Sequence, residues 1–202
     1  MSQDCGVRAR MPARVALGLC AGTAVVALIF LVLIGPRADI DVAARSARFL
    51  FKFAVTGTLA ASASRFVLRA GCPDLPIRAS GWLLLAAPLL LLGAVVAELV
   101  VMPSSSWHAR MIGENSRVCL TIVPLLSIAP LACLLAALRE GAPAHPGRTG
   151  AVAGLAAGGI AASFYAANCT DDSPLFVLAW YPLAIALVSG AGFLIGRRVL
   201  RW

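Results

Sequence analysis

The chain has 202 residues, of which 60% are hydrophobic and only 13% are charged. Soluble globular domains have about 45–50% apolar and about 25% charged residues, so this composition excludes an ordinary soluble core. The net charge of +8 at pH 7 does not indicate a nucleic-acid surface, because no basic stripe with interleaved aromatic residues accompanies it. The sequence therefore predicts an integral membrane protein of the all-α class.

Six apolar segments are separated by turn residues and arginines. Each has about 18–22 residues, which at ~1.5 Å per residue is enough to cross a hydrocarbon layer of about 30 Å. Backbone polar groups in lipid must be satisfied within the segment, so each is expected to be a helix. Together they form a six-helix bundle, a single membrane domain over residues 1–202. The predicted spans are 15–34, 48–68, 81–102, 118–138, 150–167 and 174–195.

The first segment has one feature of a secretory signal, since arginines precede its apolar run. The apolar region of a signal peptide is only about 7–15 residues long and ends in small residues at a cleavage site. Here the run is longer and ends with the bulky residues of Phe30–Ile34. We therefore expect a helix that is retained.

Arginines are shared unequally between the two sides of the predicted bundle. Eleven fall on the side of the two termini and five on the opposite side. Because cytoplasmic connections are enriched in Lys and Arg, both termini are predicted to be cytoplasmic. The larger group comprises Arg8, Arg10, Arg14, Arg65, Arg69, Arg78, Arg139, Arg148, Arg197, Arg198 and Arg201.

Lys52 and Glu98 are the clearly intramembrane charges of the predicted spans. Each lies roughly 6 Å below the outer end of its span, so the two are at a similar depth and can pair. Ionisable residues in spans are functional candidates, but residues this close to the interface can also reach water. A structural role and a place in an outer sensing surface both remain open.

Small residues recur in the last two spans. Gly150, Gly154 and Gly158 follow at intervals of four in the fifth span, and the sixth contains Gly192 and Gly196. Small residues at such intervals allow helix backbones to approach closely. We expect these positions to lie at helix–helix contacts.

Two of the six cysteines are predicted to reach the oxidising side of the membrane. Cys119 lies at the outer end of the fourth span, and Cys169 lies in the outer turn before the sixth. If the fourth and fifth spans are neighbours, the pair can meet the Cα separation of ~4.4–6.8 Å that a disulfide requires. A permanent disulfide, a redox or metal switch, and two free thiols all remain open.

Acidic residues follow Cys169 directly. Nearby anionic charge disfavours a thiolate, so Cys169 is not expected to be unusually reactive. Asp171 and Asp172, with Cys119 and His108, could contribute to a site for a soft or borderline metal ion, although no zinc-finger spacing is present. The same acidic-Ser-Pro turn is also suited to capping the sixth span.

Specific motifs extend over residues 107–202. The most specific is the Cys119/Cys169 pair together with the acidic-Ser-Pro turn at 171–174, and the segments 138–143 and 196–202 add to it. These motifs strongly resemble the NrsF family, bacterial six-helix inner-membrane anti-sigma factors named as negative regulators of sigma F.

The resemblance implies a protein that holds an extracytoplasmic-function sigma factor inactive at the inner membrane. It implies release upon envelope oxidative or heavy-metal stress, with Cys119 and Cys169 as the sensing pair and no direct contact with nucleic acid. The family's cytoplasmic N-terminus is implied in holding the sigma factor, but only fourteen residues precede Val15. The contact is therefore expected to spread over several cytoplasmic elements. Candidate residues, which topology alone also explains, are Arg8, Arg10, Arg14, Arg65, Arg69, Arg139 and Arg148.

Two other functions compete with a signalling role. A membrane thiol oxidoreductase that passes electrons to a quinone would usually have a C-x-x-C pair, and the sequence contains none. A small transporter would show an inverted repeat and charges near the midplane, and neither is evident. We therefore expect a regulator and not an enzyme, with no resident cofactor and, at most, a transient heavy-metal ion.

Overall fold

The computed structural model describes residues 3–70, 82–141, 143 and 145–201, with side chains from Met11 onwards except at residue 70. These residues form helices and no strand. A π-helical turn, Phe30–Ile34, continues the first helix, and a 3-10 turn, Ser104–Ser106, precedes the fifth. The helices are α1 (Gln3–Ile29), α2 (Ile40–Ala43), α3 (Ala47–Ala70), α4 (Ala86–Val101), α5 (Trp107–Ile112), α6 (Ser116–Arg139), α7 (Pro146–Asn168) and α8 (Pro174–Val199).

The all-helical prediction is confirmed for the described residues, and within them five helical segments are long and apolar enough to cross a membrane. α3 coincides with the second predicted span, but its basic and hydroxyl side chains make it less apolar than the others. The five segments are Met11–Ile34, Trp82–Val101, Ser104–Arg139, Pro146–Asn168 and Pro174–Val199.

Two helices begin earlier than predicted. α1 starts at Gln3 and α7 at Pro146, whereas the apolar runs begin at 15 and 150. Proline fits the first turn of a helix because its fixed φ is already helical and its missing N–H has no intrahelical partner. Hydropathy marks the apolar part of a helix and not its polar ends, so both helices extend beyond their apolar runs.

α7 lies at the centre of the bundle, in contact with α3, α6 and α8. The glycines of α7 allow the neighbouring helices to approach it closely. A Cβ added at Gly154 would lie 2.6 Å from the carbonyl oxygen of Val188 in α8, and one at Gly159 would lie 3.0 Å from the backbone nitrogen of Ala60 in α3. The predicted role of the glycines in close helix contact is confirmed.

The buried residues form two clusters at opposite ends of the bundle. One contains Cys119 and Cys169, and we call that end the thiol end. The other contains Met11 near the start of α1, Leu138 at the end of α6, and Leu200 just after α8; we call it the terminal end. The N-terminus of α1 and the C-terminus of α8 therefore lie at the same end of the bundle.

Candidate functional site

Cys119 and Cys169 lie buried in one hydrophobic cluster at the thiol end, with 0% and 1% of their surface exposed. α6 and α7 pack together. The sequence predicts that the two cysteines can approach each other if these helices are neighbours. Both are free thiols in the structure, and both belong to the same hydrophobic cluster. Both side chains are buried, so neither thiol is exposed at the surface of the structure.

Burial controls the chemistry of the Cys169 thiol. It raises the pKa of Cys169, while the positive charge of Lys52 acts in the opposite direction. Since the thiolate is the nucleophile, burial disfavours the reactive form of Cys169. Sequence reasoning attributed low reactivity to the adjacent carboxylates, whereas the structure gives burial as the larger cause.

The turn formed by residues 168–173, which we call the thiol-end turn, is held from beneath by Lys52 of α3. The Lys52 side chain is fully buried. Its Nζ lies 2.6 Å from Oδ1 of Asp172 and donates a 2.8 Å hydrogen bond to the carbonyl oxygen of Cys169. The buried ammonium is thus paired and bonded to the backbone of Cys169, as a charge inside a protein must be.

Glu98 binds the other end of the same turn. Its carboxylate accepts a 3.0 Å hydrogen bond from Ser173 and pairs with Arg110 at 3.0 Å. Arg48 lies further away, at 3.9 Å. The expected pair between Lys52 and Glu98 is therefore wrong: each charge has another partner, and the thiol-end turn lies between them.

Asp171 fixes the start of α6, which carries Cys119. Its carboxylate accepts hydrogen bonds from the backbone nitrogens of Glu114 (3.1 Å) and Asn115 (2.8 Å). A negative charge at a helix N-terminus is favourable because it faces the free N–H groups and the positive end of the helix dipole. Gly113 makes this close approach possible, since a Cβ there would lie 2.8 Å from Cγ of Asp171 and its φ is +60°.

The segment after α1 closes the outer side of the turn. Nη1 of Arg37 donates a 3.1 Å hydrogen bond to Oδ2 of Asp172, and its backbone nitrogen bonds to the carbonyl of Ala167 at 3.0 Å. Asn168 donates to the carbonyl of Gly35 at 3.1 Å. Arg37 is one of the five arginines predicted on the side opposite the termini, and no local pattern in the sequence indicates that it meets Asp172.

Ser173 caps α8, as the acidic-Ser-Pro pattern predicts. Its hydroxyl accepts a hydrogen bond from the backbone nitrogen of Leu175 at 3.3 Å, and Pro174 occupies the first turn. The buried hydroxyl of Tyr181, in the cluster that holds both cysteines, has no hydrogen-bond partner among the described residues. Tyr165, in the same cluster, bonds to the Asn115 carbonyl at 3.4 Å.

The structure does not assemble the metal site that His108, Asp171 and Asp172 suggested. In the described residues no group of three His, Cys, Asp or Glu side chains is placed to hold a metal ion. His108 is exposed in α5, and the two carboxylates are engaged by α6, Lys52 and Arg37.

The arginines considered for sigma-factor contact lie at the terminal end where their side chains are described. Arg14 pairs with Glu140. Arg65, Arg139 and Arg148 are exposed and Arg69 is half-buried. The side chains of Arg8 and Arg10 lie outside the described residues.

The comparisons with known proteins agree on one family. The family model described as NrsF, negative regulator of sigma F, matches residues 3–202. The probable anti-sigma-F factor NrsF of Azospira oryzae is 29% identical over 192 residues, which cover 94% of this chain and 89% of that protein. The anti-sigma-F factor NrsF of Caulobacter vibrioides is 31% identical over 193 residues, 92% of this chain and 88% of that protein. No solved structure shows significant similarity to the chain.

Proposed function

The chain belongs to the NrsF family of negative regulators of sigma F, and from this premise we propose how it works. It holds an extracytoplasmic-function sigma factor inactive at the bacterial inner membrane and releases it under periplasmic stress. Its family is one of regulators of a sigma factor, so the protein acts through binding and not through catalysis. The sensor is the pair Cys119 and Cys169.

We place the thiol end in the periplasm and both termini in the cytoplasm. The excess of arginine on the side of the termini supports this orientation. Met11 and Leu200 lie in one buried cluster. The N-terminus of α1 and the C-terminus of α8 are therefore at one end of the bundle, as this orientation requires. The sigma factor then meets the terminal end, where Arg65 and Arg148 are exposed.

The observation that carries the proposal is a buried thiol pair beneath a turn that ties together the surrounding segments. The thiol-end turn bonds to the segment after α1, to α3, to α4 and to the start of α6. A change at Cys169 therefore acts on all of them at once.

Oxidation supplies such a change. Cys119 and Cys169 together give up two protons and two electrons and form an S–S bond, while one molecule of peroxide is reduced to two of water. A disulfide fixes the separation and orientation of the two Cβ atoms, which constrains α6 against the thiol-end turn. If the bundle has two packings and the sigma factor prefers one, this local chemistry shifts the equilibrium between them.

A thiophilic heavy-metal ion is a second input to the same pair. Soft thiolate ligands favour such ions, and bridging the two sulfurs would constrain the same backbone segments. The ion acts here as a signal and not as a resident cofactor, because the neighbouring carboxylates are already bonded to protein groups.

The test replaces both sensing thiols, Cys119→Ser with Cys169→Ser, in cells that carry a reporter of the sigma regulon. We expect the double variant to stay in the repressing state when peroxide is added, because no bond can form. The matched control replaces Cys20 and Cys133, which are also free thiols, and should respond normally. A normal stress response in the first variant would refute the sensor.

A further inference from the structure

A long apolar groove runs between α6 and α8 on the outside of the bundle. It has a volume of about 980 Å³ and extends from Leu120 to Arg139 along α6 and from Leu187 to Val199 along α8. At ~1.5 Å per residue, this length of α6 corresponds to roughly 28 Å. Small side chains such as Ala132, Ala136 and Ala191 are among its lining residues, so the groove remains open where larger residues would fill it.

The groove leads to a cluster of arginines at the terminal end. Arg197, Arg198 and Arg201 line an adjoining depression of about 580 Å³. The two cavities share Ile195 and Val199, so they form a continuous surface that is apolar along the helices and cationic at the end.

The arginine cluster has a fixed position in the fold. Leu200 is buried, with 1% of its surface exposed, in the cluster that contains Met11. The Arg197 guanidinium lies over the Phe193 ring, 5.5 Å from its centroid. Glu140, the acidic residue at this end of the groove, is paired with Arg14 and does not neutralise the cluster.

We propose that this surface binds an anionic phospholipid. Its phosphate group lies against Arg197, Arg198 and Arg201, and one acyl chain lies in the groove between α6 and α8. Arginine suits phosphate because its planar guanidinium donates two parallel hydrogen bonds, and basic pockets between membrane helices are a known location for anionic head groups. The site rests on the membrane insertion proposed above but not on thiol sensing.

Native mass spectrometry of the full chain in detergent tests the proposal. Phosphatidylglycerol and phosphatidylcholine with identical acyl chains are added at equal concentration. We expect retention of phosphatidylglycerol on the wild type, and a preference that falls on the order of tenfold in Arg197→Gln/Arg198→Gln. The matched control Arg45→Gln/Arg117→Gln, which removes two exposed arginines at the thiol end, should retain the preference.

A second pair of variants tests the groove. Ala191→Phe places a ring among the lining residues and should reduce retention of the lipid, whereas Ala97→Phe on the exposed face of α4 should not. Inorganic phosphate at the same concentration should fail to displace the lipid, since it has no acyl chain. Equal retention of both lipids by the wild type would overturn the proposal. So would a retained preference in the Arg197/Arg198 variant together with loss of sigma-factor co-purification, which would assign the cluster to a protein contact.

Discussion

At the scale of single residues, Lys52 is the side chain on which the structure of the thiol-end turn most depends. It is fully buried, and its ammonium joins α3 to Asp172 and to the Cys169 carbonyl. Removing Lys52 leaves the Cys169 carbonyl without this donor and leaves Asp172 with Arg37 as its remaining partner. Loss of a hydrogen bond to a charged group costs about 1.5–3 kcal/mol. The turn that covers both thiols should therefore open in its absence.

We predict that Lys52→Met accelerates the labelling of Cys119 and Cys169 by a bulky maleimide on the order of a hundredfold. The rate is measured on detergent-purified protein by mass spectrometry of the labelled peptides. Arg45→Met removes an exposed cation at the same end and should leave the rate unchanged. An unaltered rate in Lys52→Met would mean that Lys52 does not hold the turn closed.

At the scale of elements, the close contact of α7 with α8 depends on glycine. A Cβ at Gly154 would lie 2.6 Å from the Val188 carbonyl oxygen and 2.7 Å from Cα of Ser189, both backbone atoms of α8. Gly190 on α8 itself has no such neighbour within 4 Å. The two positions therefore provide a matched pair in which the same methyl group is added with and without a facing helix.

Gly154→Ala is expected to lower the free energy of unfolding by about 1–3 kcal/mol, the usual cost of overpacking. Gly190→Ala should be neutral or slightly stabilising, since alanine has the higher helix propensity. Thermal unfolding of both variants in detergent provides the measurement. Equal midpoints would show that α7 and α8 do not need the glycine for close contact.

The elements also show which parts of the structure could be predicted from the sequence. Hydropathy predicts the long helices because it depends on residues that are close in the chain. Topology together with family resemblance selects Cys119 and Cys169 as candidates. The bonds from Asp171 to the start of α6 and from Arg37 to Asp172 join residues more than fifty positions apart. Which loop folds over which thiol depends on tertiary packing, and neither periodicity nor charge counting contains that information.

At the scale of the whole molecule, the two ends have different chemistry. The thiol end combines two buried cysteines with a network of ion pairs, and the terminal end presents exposed arginines. α3, α6 and α7 run between them and pack against one another through α7. These helices therefore connect the thiol end to the surface proposed for the sigma factor.

The most direct measurement follows the thiols and the sigma factor in the same cells. Free thiols are alkylated before and after addition of peroxide, the protein is purified, and the linked peptides of Cys119 and Cys169 are quantified together with the co-purified sigma factor. The sensor account predicts that the linked peptides appear as the sigma factor is lost, over the same time course. Loss of the sigma factor while both cysteines remain alkylated would contradict it.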